Sequence, residues 1–381
     1  MWGELRGERV ARRAGVIGTG FIGAVHARAI RRAGHRLVGV SASSPDSTAA
    51  AVERLGAERG FVSAAALAES TDVDVVHVCT PNDLHAPLAE AALAAGKHVV
   101  CEKPLATTLA DATTLATLAE RAGVVATVPF VYRFYPMVRE ARARAAGPLG
   151  AIRLVHGSYL QDWLSTDRDD NWRVDAEASG RSRAFAYIGS HCCDLVEFVT
   201  GDRLEAVCAE LVTAVPERVH GSAHAFAAPA VQADERRAVE TEDVALVMFR
   251  TTGGVFGSVV VSQISAGHKN QLRFEVAGGE ATLAFDQEQP DTLWVGRRTA
   301  VEVIARDPAV LDPAAAAYVT VPAGHPQGYQ DCFDAFVADT YRAIATGAGV
   351  DGLPTFADGV RAARVTEAVL RSAATRRWED V

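Results

Sequence analysis

Residues 99–108, VVCEKPLATT, contain Lys103 between Glu102 and Pro104. Of the 38 lysines and arginines in this 381-residue chain only three are lysines, Lys97, Lys103 and Lys269, so 35 are arginines. Arginine thus supplies nearly all of the positive charge. A lysine ammonium can be lowered in pKa and can release or accept a proton, whereas a guanidinium stays charged. The composition therefore predicts proton chemistry at Lys103.

A glycine-rich turn near the N-terminus could hold phosphates. The segment VIGTGFIG has the spacing G-x-G-x-x-G between a strand-like run and a helical run. The three glycines allow a tight turn, close approach of the backbone to a pyrophosphate, and close helix–strand packing. The helix N-terminus offers free N–H groups to the phosphates. We therefore predict a dinucleotide-binding turn formed by Gly18, Gly20, Phe21, Ile22 and Gly23.

The end of the second predicted strand, VSASSPD, should contact the adenosine ribose. A carboxylate there is typical of NAD enzymes and an arginine of NADP enzymes. Ser41 and Ser43 lie in this stretch, and neither a carboxylate nor an arginine occupies positions 41–44. The sequence predicts that Ser41 and Ser43 contact the cofactor and leaves the choice between NAD and NADP open.

The chain divides into two parts with different sequence patterns. From residue 14 to about 133, Val-rich runs alternate with helical runs, which predicts a parallel sheet covered on both faces. From 134 to 381, strand-like segments joined by turns such as TTGG predict a large, mostly antiparallel open sheet with helices on one face. We therefore predict an α/β dinucleotide-binding domain over 14–133, an α+β domain for substrate binding and oligomerisation over 134–381, a disordered leader over 1–13, and an exposed loop over 215–240.

Bulk properties exclude several function classes. The net charge of −9 argues against nucleic acid or an anionic membrane surface as a partner, and no apolar run is long enough to span a membrane. The six cysteines show no C-x-x-C spacing, which predicts reduced thiols in the cytoplasm rather than a disulfide framework. In HCCD the adjacent cysteines would point about 100° apart on a helix, so we predict no metal site. Arg12 and Arg13 precede a glycine-rich turn rather than a signal-peptide core.

GTGFIGAVH, TPNDLH and CEKPL occur in this order on such a fold, and together they resemble the Gfo/Idh/MocA family of oxidoreductases. The resemblance runs from about Ala14 to the predicted helix ADGVRAARVTEAVLRSA near the C-terminus. It implies a Rossmann domain and an NAD(P)-dependent dehydrogenase or reductase that acts on a sugar or cyclitol. It further implies a homodimer or homotetramer formed through the exposed face of the second sheet.

The resemblance also implies roles for the residues around the lysine. Lys103 would be catalytic beside the nicotinamide, with Glu102 contacting the cofactor, and Pro104 would follow a cis or strained peptide bond. In TPNDLH the side of the cofactor would be lined by Thr80, Pro81, Asn82 and His85. Asn82 could equally be a helix N-cap.

The resemblance implies that the segment YIGSHCCD carries a second residue for proton transfer. The family pattern is D-x-G-x-H, so His191 would lie near the substrate hydroxyl, where a pKa near neutrality suits proton transfer. The aspartate position, one helical turn before it, holds Tyr187. Three consequences are open: Lys103 carries most of the proton transfer, Asp194 or Asp162 substitutes, or catalysis is lost. The last leaves a non-catalytic dinucleotide-binding sensor, and a redox-assisted glycoside-cleaving enzyme that retains NAD is another alternative.

Candidate substrate contacts complete the predictions. YLQDWLSTDRDDNWR is rich in aromatic and polar residues, and its tryptophans could contact the C–H faces of a sugar or simply pack in a core. In VYRFYP the resemblance makes Arg133 either a substrate contact or an ion-pair former, and in GHPQGYQDCF it points more weakly to His325 and Tyr329. The predicted substrate site comprises Lys103, Arg133, Trp163, Trp172, Arg173, Tyr187, His191 and Tyr329, with Asn171 beside them.

Overall fold

The computed structural model describes residues 11–219 and 235–381. The first part of the chain alternates strands and helices. Its strands are β1 (Arg13–Ile17), β2 (Arg36–Ser41), β3 (Arg59–Gly60), β4 (Val75–Val78), β5 (His98–Cys101) and β6 (Ala126–Thr127). Its helices are α1 (Phe21–Arg32), α2 (Pro45–Leu55), α3 (Ala64–Glu69), α4 (His85–Ala94) and α5 (Leu109–Ala122), with a 3₁₀ turn at Asn82–Leu84.

These six strands form one parallel sheet in the order β3-β2-β1-β4-β5-β6, which confirms the predicted Rossmann arrangement. Successive residues of the strands enter two different cores. Val75 and Val100 pack in one cluster, whereas Val76 and Val99 pack in the other. Burial on both faces explains why these strands are continuous apolar runs rather than alternating ones.

The remaining part of the chain is dominated by strands. The strands are β7 (Leu154–Leu160), β8 (Leu204–Val212), β9 (Glu217–Val219), β10 (Arg236–Ala238), β11 (Val244–Thr251), β12 (Phe256–Ser262), β13 (Gln271–Ala277), β14 (Thr282–Asp286), β15 (Thr292–Gly296), β16 (Val301–Ala305) and β17 (Glu379–Asp380). The helices are α6 (Pro136–Ala145), α7 (Ala176–Ser179), α8 (Ser190–Thr200), α9 (Pro313–Ala316), α10 (Tyr329–Thr346) and α11 (Phe356–Thr375), with 3₁₀ turns at Val131–Phe134 and Trp172–Val174 and a π-helical turn at Phe185–Gly189.

Nine of these strands form the second sheet, in the order β16-β15-β14-β13-β7-β12-β11-β8-β17. Every neighbouring pair is antiparallel except β7 and β12, so the predicted mostly antiparallel sheet is confirmed. On β11, buried Val247 and Phe249 alternate with exposed Leu246 and Met248. One face of the sheet therefore packs on its helices and the other carries exposed apolar side chains.

Three local predictions differ from the structure. β1 already begins at Arg13, within the predicted leader, whose residues 1–10 lie outside the described part of the chain. The last Val-rich run of the predicted parallel sheet, VVATVPFVY, pairs only over Ala126–Thr127, and a 3₁₀ turn follows at Val131–Phe134. The predicted loop 215–240 contains β9 and β10, which pair with each other, and its residues 220–234 lie outside the described ranges.

A buried polar cluster fixes the start of the π-helical turn. The Glu242 carboxylate accepts hydrogen bonds from the main-chain N–H groups of Arg183 and Phe185, at 3.1 and 2.8 Å. The Arg183 guanidinium pairs with the fully buried Asp243, which also accepts from Arg218 at 2.8 Å. The loop before β11 thereby holds the segment that carries Tyr187 and His191.

We expect Asp243→Ala to lower the free energy of unfolding by about 3–5 kcal/mol, because it leaves two buried guanidinium groups without their carboxylate. The matched control is Asp167→Ala, which removes an exposed ion pair with Arg236 and should cost less than about 1 kcal/mol. Chemical denaturation followed by circular dichroism measures both variants. Equal losses in the two variants would contradict the prediction.

Candidate active site

A cleft of about 920 Å³ lies at the carboxyl ends of the parallel strands and extends to the second sheet. It brings together most of the predicted residues. On the cofactor side these are Gly18, Gly20, Phe21, Ile22, Ser41, Ser43, Thr80, Pro81, Asn82, His85 and Glu102. On the substrate side they are Lys103, Trp163, Asn171, Trp172, Arg173, Tyr187, His191 and Tyr329. Gly23, Arg133 and His325 are not among the lining residues.

The glycine turn has the shape that a dinucleotide needs. Gly18 has φ of +90°, and a Cβ there would lie 2.4 Å from the Cys79 carbonyl oxygen. A Cβ at Gly23 would lie 2.1 Å from the Gly18 oxygen, so Gly23 serves helix–turn packing behind the cleft. A Cβ at Gly20 would meet no atom within 4 Å and would project into empty space. Gly20 thus leaves room in the cleft for a pyrophosphate.

The other cofactor-side residues fit the same group. The buried hydroxyl oxygen of Thr80 has no hydrogen-bond partner among the described residues and is free for a ligand. Ser41 is buried at the end of β2 and Ser43 is exposed beside it. The residues directly after β2 that line the cleft include no acidic residue and no arginine.

Asn82 and His85 are held by structural hydrogen bonds. The Asn82 amide donates to the main-chain oxygen of Ser179 at 3.0 Å, and Pro81 rather than Asn82 precedes the 3₁₀ turn as its cap. The His85 ring lies between the carbonyl oxygens of Thr80 and Pro104, at 3.0 and 2.7 Å. Their side chains therefore fix the loop after β4 against its neighbours, while the residues themselves line the cleft.

Glu102 ends a chain of buried side chains. Its carboxylate lies 3.0 Å from His26 Nε2 and also accepts from the Lys103 main-chain N–H at 3.1 Å. His26 Nδ1 lies 2.9 Å from His77 Nδ1, and His77 Nε2 lies 3.0 Å from the Tyr341 hydroxyl. This series of hydrogen bonds connects Glu102 to α1, β4 and α10 and holds its carboxylate in place.

Lys103 follows β5 and reaches across the cleft. Its Nζ donates to the main-chain oxygen of Tyr187 at 3.1 Å and lies 3.6 Å from the centre of the Tyr187 ring. The peptide bond before Pro104 is cis. Burial lowers the pKa of Lys103 and Arg173 acts in the same direction, whereas Tyr187 and Glu102 oppose the shift.

His191 lies in an aromatic corner at the start of α8. Its ring packs edge-on against Tyr132 and Phe130, with centroids 4.7 and 5.6 Å apart. Burial lowers the pKa of His191 well below its ordinary value, and the charge of Lys103 adds to this shift. The ring is therefore neutral near pH 7. Its Nδ1 is buried and has no partner among the described residues.

Tyr187 does not take the aspartate's expected place beside His191. The prediction of one α-helical turn between them is wrong, because residues 185–189 form a π-helical turn. The Tyr187 ring instead faces Lys103 and Arg173, whose guanidinium carbon lies 4.6 Å from its centre. The π turn redirects the side chain toward the lysine.

The substitute acids and Arg133 have other partners. Arg133 is buried and pairs with Asp194 and with Asp358, the latter at 2.8 Å. Of the two roles considered for Arg133, the structure therefore assigns the ion pair and not the substrate contact. Asp162 pairs with Lys269 at 2.6 Å. Neither Asp194 nor Asp162 lines the cleft, so neither replaces the missing aspartate.

The cleft residues that the sequence did not reveal include Tyr132, Tyr159, Gln161 and Asn270. The Asn270 side-chain oxygen accepts from Tyr159 and from Gln161, both at 2.7 Å, and Tyr132 bonds the Tyr159 hydroxyl. Alternation along β7 could have indicated that Tyr159 and Gln161 share a face. Asn270 gives no local signal, because it enters the site only through strand pairing.

Three buried polar atoms that hydrogen-bond to no described residue lie on the substrate side of the cleft. Gln161 Oε1, Arg173 Nε and His191 Nδ1 are buried and lack a hydrogen-bond partner within the described ranges. Buried polar atoms are rarely left unpaired, so each marks a place where a ligand can bond. The Arg173 guanidinium also stacks on Trp172 at 4.4 Å. Within the described residues no group of three or more His, Cys, Asp or Glu side chains is arranged to hold a metal.

Comparison with known proteins is consistent with this geometry. The family model for the NAD-binding Rossmann fold of the Gfo/Idh/MocA oxidoreductases matches residues 12–130, and the model for the C-terminal domain of this family matches residues 138–284. The chain is 32% identical to levoglucosan dehydrogenase of Pseudarthrobacter phenanthrenivorans over 96% of this chain and 97% of that protein. The chain belongs to the Gfo/Idh/MocA family.

Solved structures of other proteins have the same fold over nearly the whole length of this chain. A levoglucosan dehydrogenase in complex with NADH and L-sorbose gives a TM-score of 0.89 at 30% identity, covering 98% of this chain and 99% of that one. An inositol dehydrogenase homolog from Azotobacter vinelandii, complexed with NAD⁺, gives 0.85 at 28% identity and 97% of each chain. This Gfo/Idh/MocA protein is an NAD(P)-dependent oxidoreductase that acts on CH–OH groups. Its described helices include none suited to crossing a membrane.

We expect Gly20→Ala to fold normally and to weaken NADH binding by at least about tenfold, or ~1.4 kcal/mol, because the added methyl group fills space that the pyrophosphate needs. Gly147→Ala is the control, since its Cβ also meets nothing within 4 Å but lies outside the cleft. Fluorescence titration with NADH and thermal unfolding measure the two effects separately. Unchanged NADH affinity in Gly20→Ala would contradict the assignment of the turn.

Proposed function

We propose that the protein reversibly oxidises a ring CH–OH group of a sugar, sugar derivative or cyclitol, with Lys103 and His191 handling the proton. The observation that carries this proposal is the continuity of one cleft. The glycine turn, the Lys103 amine and three unpartnered polar atoms open into the same space. A substrate bound at those atoms lies beside a cofactor bound at the turn.

The substrate class follows from the lining. Gln161 Oε1 can accept a hydrogen bond, Arg173 Nε can donate one, and His191 Nδ1 offers a third site. Trp163 and Trp172 add apolar ring surface. A polyhydroxylated ring presents hydroxyl groups and C–H faces together, which suits this mixture. Levoglucosan dehydrogenase and inositol 2-dehydrogenase of Rhizobium meliloti, 25% identical over 96% of this chain, are relatives whose names agree with this class.

The mechanism divides the work between cofactor and chain. Bound NAD supplies the hydride acceptor or donor. Lys103 Nζ, with its pKa lowered by burial, takes the hydroxyl proton as the carbonyl forms. Neutral His191 orients the same hydroxyl through its free Nδ1, while the aromatic corner fixes its ring. Tyr159, Gln161 and Asn270 hold the rest of the ring in register with Lys103.

We expect Lys103→Met to keep its NADH affinity and to lose about 10²–10⁴-fold in kcat/KM, because general acid–base catalysis is worth about that factor. Lys97→Met is the matched control, since Lys97 donates to the Ser70 carbonyl and does not line the cleft. The assay is a panel of sugars, anhydrosugars and cyclitols with NAD and with NADP, read at the nicotinamide absorbance.

Three outcomes of this assay would contradict the proposal. Full activity of Lys103→Met on a true substrate would exclude Lys103 as the proton acceptor. NADH binding without turnover of any panel member would favour a sensor. Product formation from a glycoside without net change in nicotinamide absorbance would favour redox-assisted cleavage.

We also propose that the enzyme works in the cytoplasm as a homodimer or homotetramer. All six cysteines are free thiols, which suits a reducing compartment. The outer face of the nine-stranded sheet exposes Leu246, Met248, Phe256 and Val260 on the neighbouring strands β11 and β12. Such a contiguous apolar face favours a self-complementary interface.

We expect Met248→Asp to shift the protein to monomers in sedimentation velocity, because it places a charge inside this interface. Val62→Asp is the control, since Val62 is 94% exposed and lies far from the sheet face in the first part of the chain. A wild type that sediments as a monomer, or equal sedimentation of the two variants, would contradict the interface.

A further inference from the structure

Tyr187 gives the lysine unusual surroundings. The Lys103 ammonium meets the face of the Tyr187 ring at 3.6 Å and the Tyr187 main-chain oxygen at 3.1 Å. Among residues 11–219 and 235–381, no carboxylate forms an ion pair with Nζ. The residue that the family resemblance predicts as an aspartate therefore contacts the lysine with a ring and a carbonyl.

The other charged or titratable groups near Lys103 do not supply the missing carboxylate. Both oxygens of Glu102 are engaged, one with His26 and one with the Lys103 main-chain N–H. Arg173 lies against the same Tyr187 ring and adds positive charge. His191 and His85 are buried, and burial lowers the pKa of each. Burial opposes ionisation of the Tyr187 hydroxyl, but the charges of Arg173 and Lys103 outweigh burial and lower its pKa. The field at Nζ is thus set by the Tyr187 ring and carbonyl, a nearby cation and one bound carboxylate.

We propose that Tyr187 is a positioning residue that holds Lys103 by its ring face and main-chain oxygen in place of a carboxylate, so that Lys103 becomes a base at lower pH than a carboxylate-paired lysine would. The proposal rests on the proposed function, in which Lys103 is the proton acceptor. Under this proposal, Tyr187 makes the neutral form of Lys103 easier to reach and also keeps Nζ in position.

The physical reason is a difference in what stabilises the ammonium. An opposite charge within about 4–6 Å favours the charged form and moves a pKa by roughly 1–3 units. A cation–π contact contributes only about 0.5–2 kcal/mol, and its geometry does not depend on a full counter-charge. Tyr187 therefore keeps Nζ in place while favouring the ammonium less strongly than aspartate would.

The proton step balances with the groups present. In the oxidation direction the substrate O–H bond breaks, and its proton forms a new N–H bond with the neutral Lys103 amine. The C=O bond forms as the C–H bond breaks, and the hydrogen with its electron pair would go to a bound NAD as hydride. In the reduction direction the ammonium returns the same proton. The Tyr187 hydroxyl takes no part in either direction.

The scarcity of lysine makes a direct measurement practical. With only Lys97, Lys103 and Lys269 in the chain, protein labelled with ¹³C at the lysine Cε gives three lysine signals. The signal missing in Lys103→Met identifies Lys103. Its chemical shift is then followed against pH in wild type and in Tyr187→Phe, Tyr187→Asp and Tyr187→Asn, with NADH affinity checked in each variant.

We expect Tyr187→Phe to move the midpoint of Lys103 much less than Tyr187→Asp does, because the ring and the carbonyl remain. Tyr187→Asp should raise the midpoint by about one unit or more relative to the neutral, similarly sized Tyr187→Asn. Equal midpoints for Asp and Asn, or a shift in Phe as large as that in Asp, would overturn the proposal.

A kinetic arm separates this proposal from the proposed function. In the oxidation direction, the midpoint of the alkaline-rising limb of kcat/KM against pH should follow the NMR midpoint in each Tyr187 variant. Disappearance of this limb in Tyr187→Phe would assign the proton to the phenol and overturn the positioning role. If the NMR shifts occur as expected while Lys103→Met remains fully active, the proposed function fails and the control of Lys103 by Tyr187 stands.

Discussion

The contact between Lys103 and Tyr187 joins the two parts of the catalytic cleft. Lys103 follows a strand of the parallel sheet, and Tyr187 lies in the π-helical turn that precedes α8. A buried ammonium needs hydrogen-bond acceptors and polarisable surface, and this one receives both from the other part of the chain. The position of the Lys103 amine therefore depends on correct packing between the two sheets, and buried polar clusters on each side stabilise that packing.

The cluster behind Glu102 is ordered outward from the carboxylate. A carboxylate accepts, so His26 donates through Nε2. The Nδ1 atoms of His26 and His77 share one hydrogen bond, and His77 Nε2 bonds the Tyr341 hydroxyl. Burial lowers the pKa of His77 well below its ordinary value, in agreement with a neutral ring. Every buried polar atom in the series is satisfied, so Glu102 stays fixed beside Lys103 without drawing on the lysine's own ammonium.

The cofactor half of the site could be predicted from the sequence because its determinants are local. Gly18, Gly20 and Gly23 lie within six residues, and the EKP tripeptide and the Thr80 loop each follow a strand of the same parallel sheet. Parallel strands bring their carboxyl ends to one edge, so position along the chain almost fixes position in space. The parallel and antiparallel sheets were predictable for a related reason, since burial on two faces or one leaves a periodic trace.

The substrate half could not be predicted to the same depth, because it is assembled by long-range pairing. Asn270 meets Tyr159 and Gln161 only because β13 pairs with β7, and Arg133 meets Asp358 from more than two hundred residues away. The π-helical turn depends on Glu242 and Asp243, in a loop before β11. Helical spacing within YIGSHCCD alone could therefore not reveal where Tyr187 points.

The cofactor side and the substrate side of the cleft differ in how freely their residues can change. Hydride chemistry requires the glycine turn and the lysine to keep their spacing, and both are built on the same rigid parallel sheet. Under the proposed function, a ring substrate would bind side chains from β7, the 3₁₀ turns and the segment before β13, which can change without moving the parallel sheet. Tyr187 lies between the two groups of residues. Its carbonyl and ring face hold the Lys103 amine in place, so under the proposed mechanism a substitution at this position would alter the proton affinity of Lys103 without changing the residues on the cofactor side.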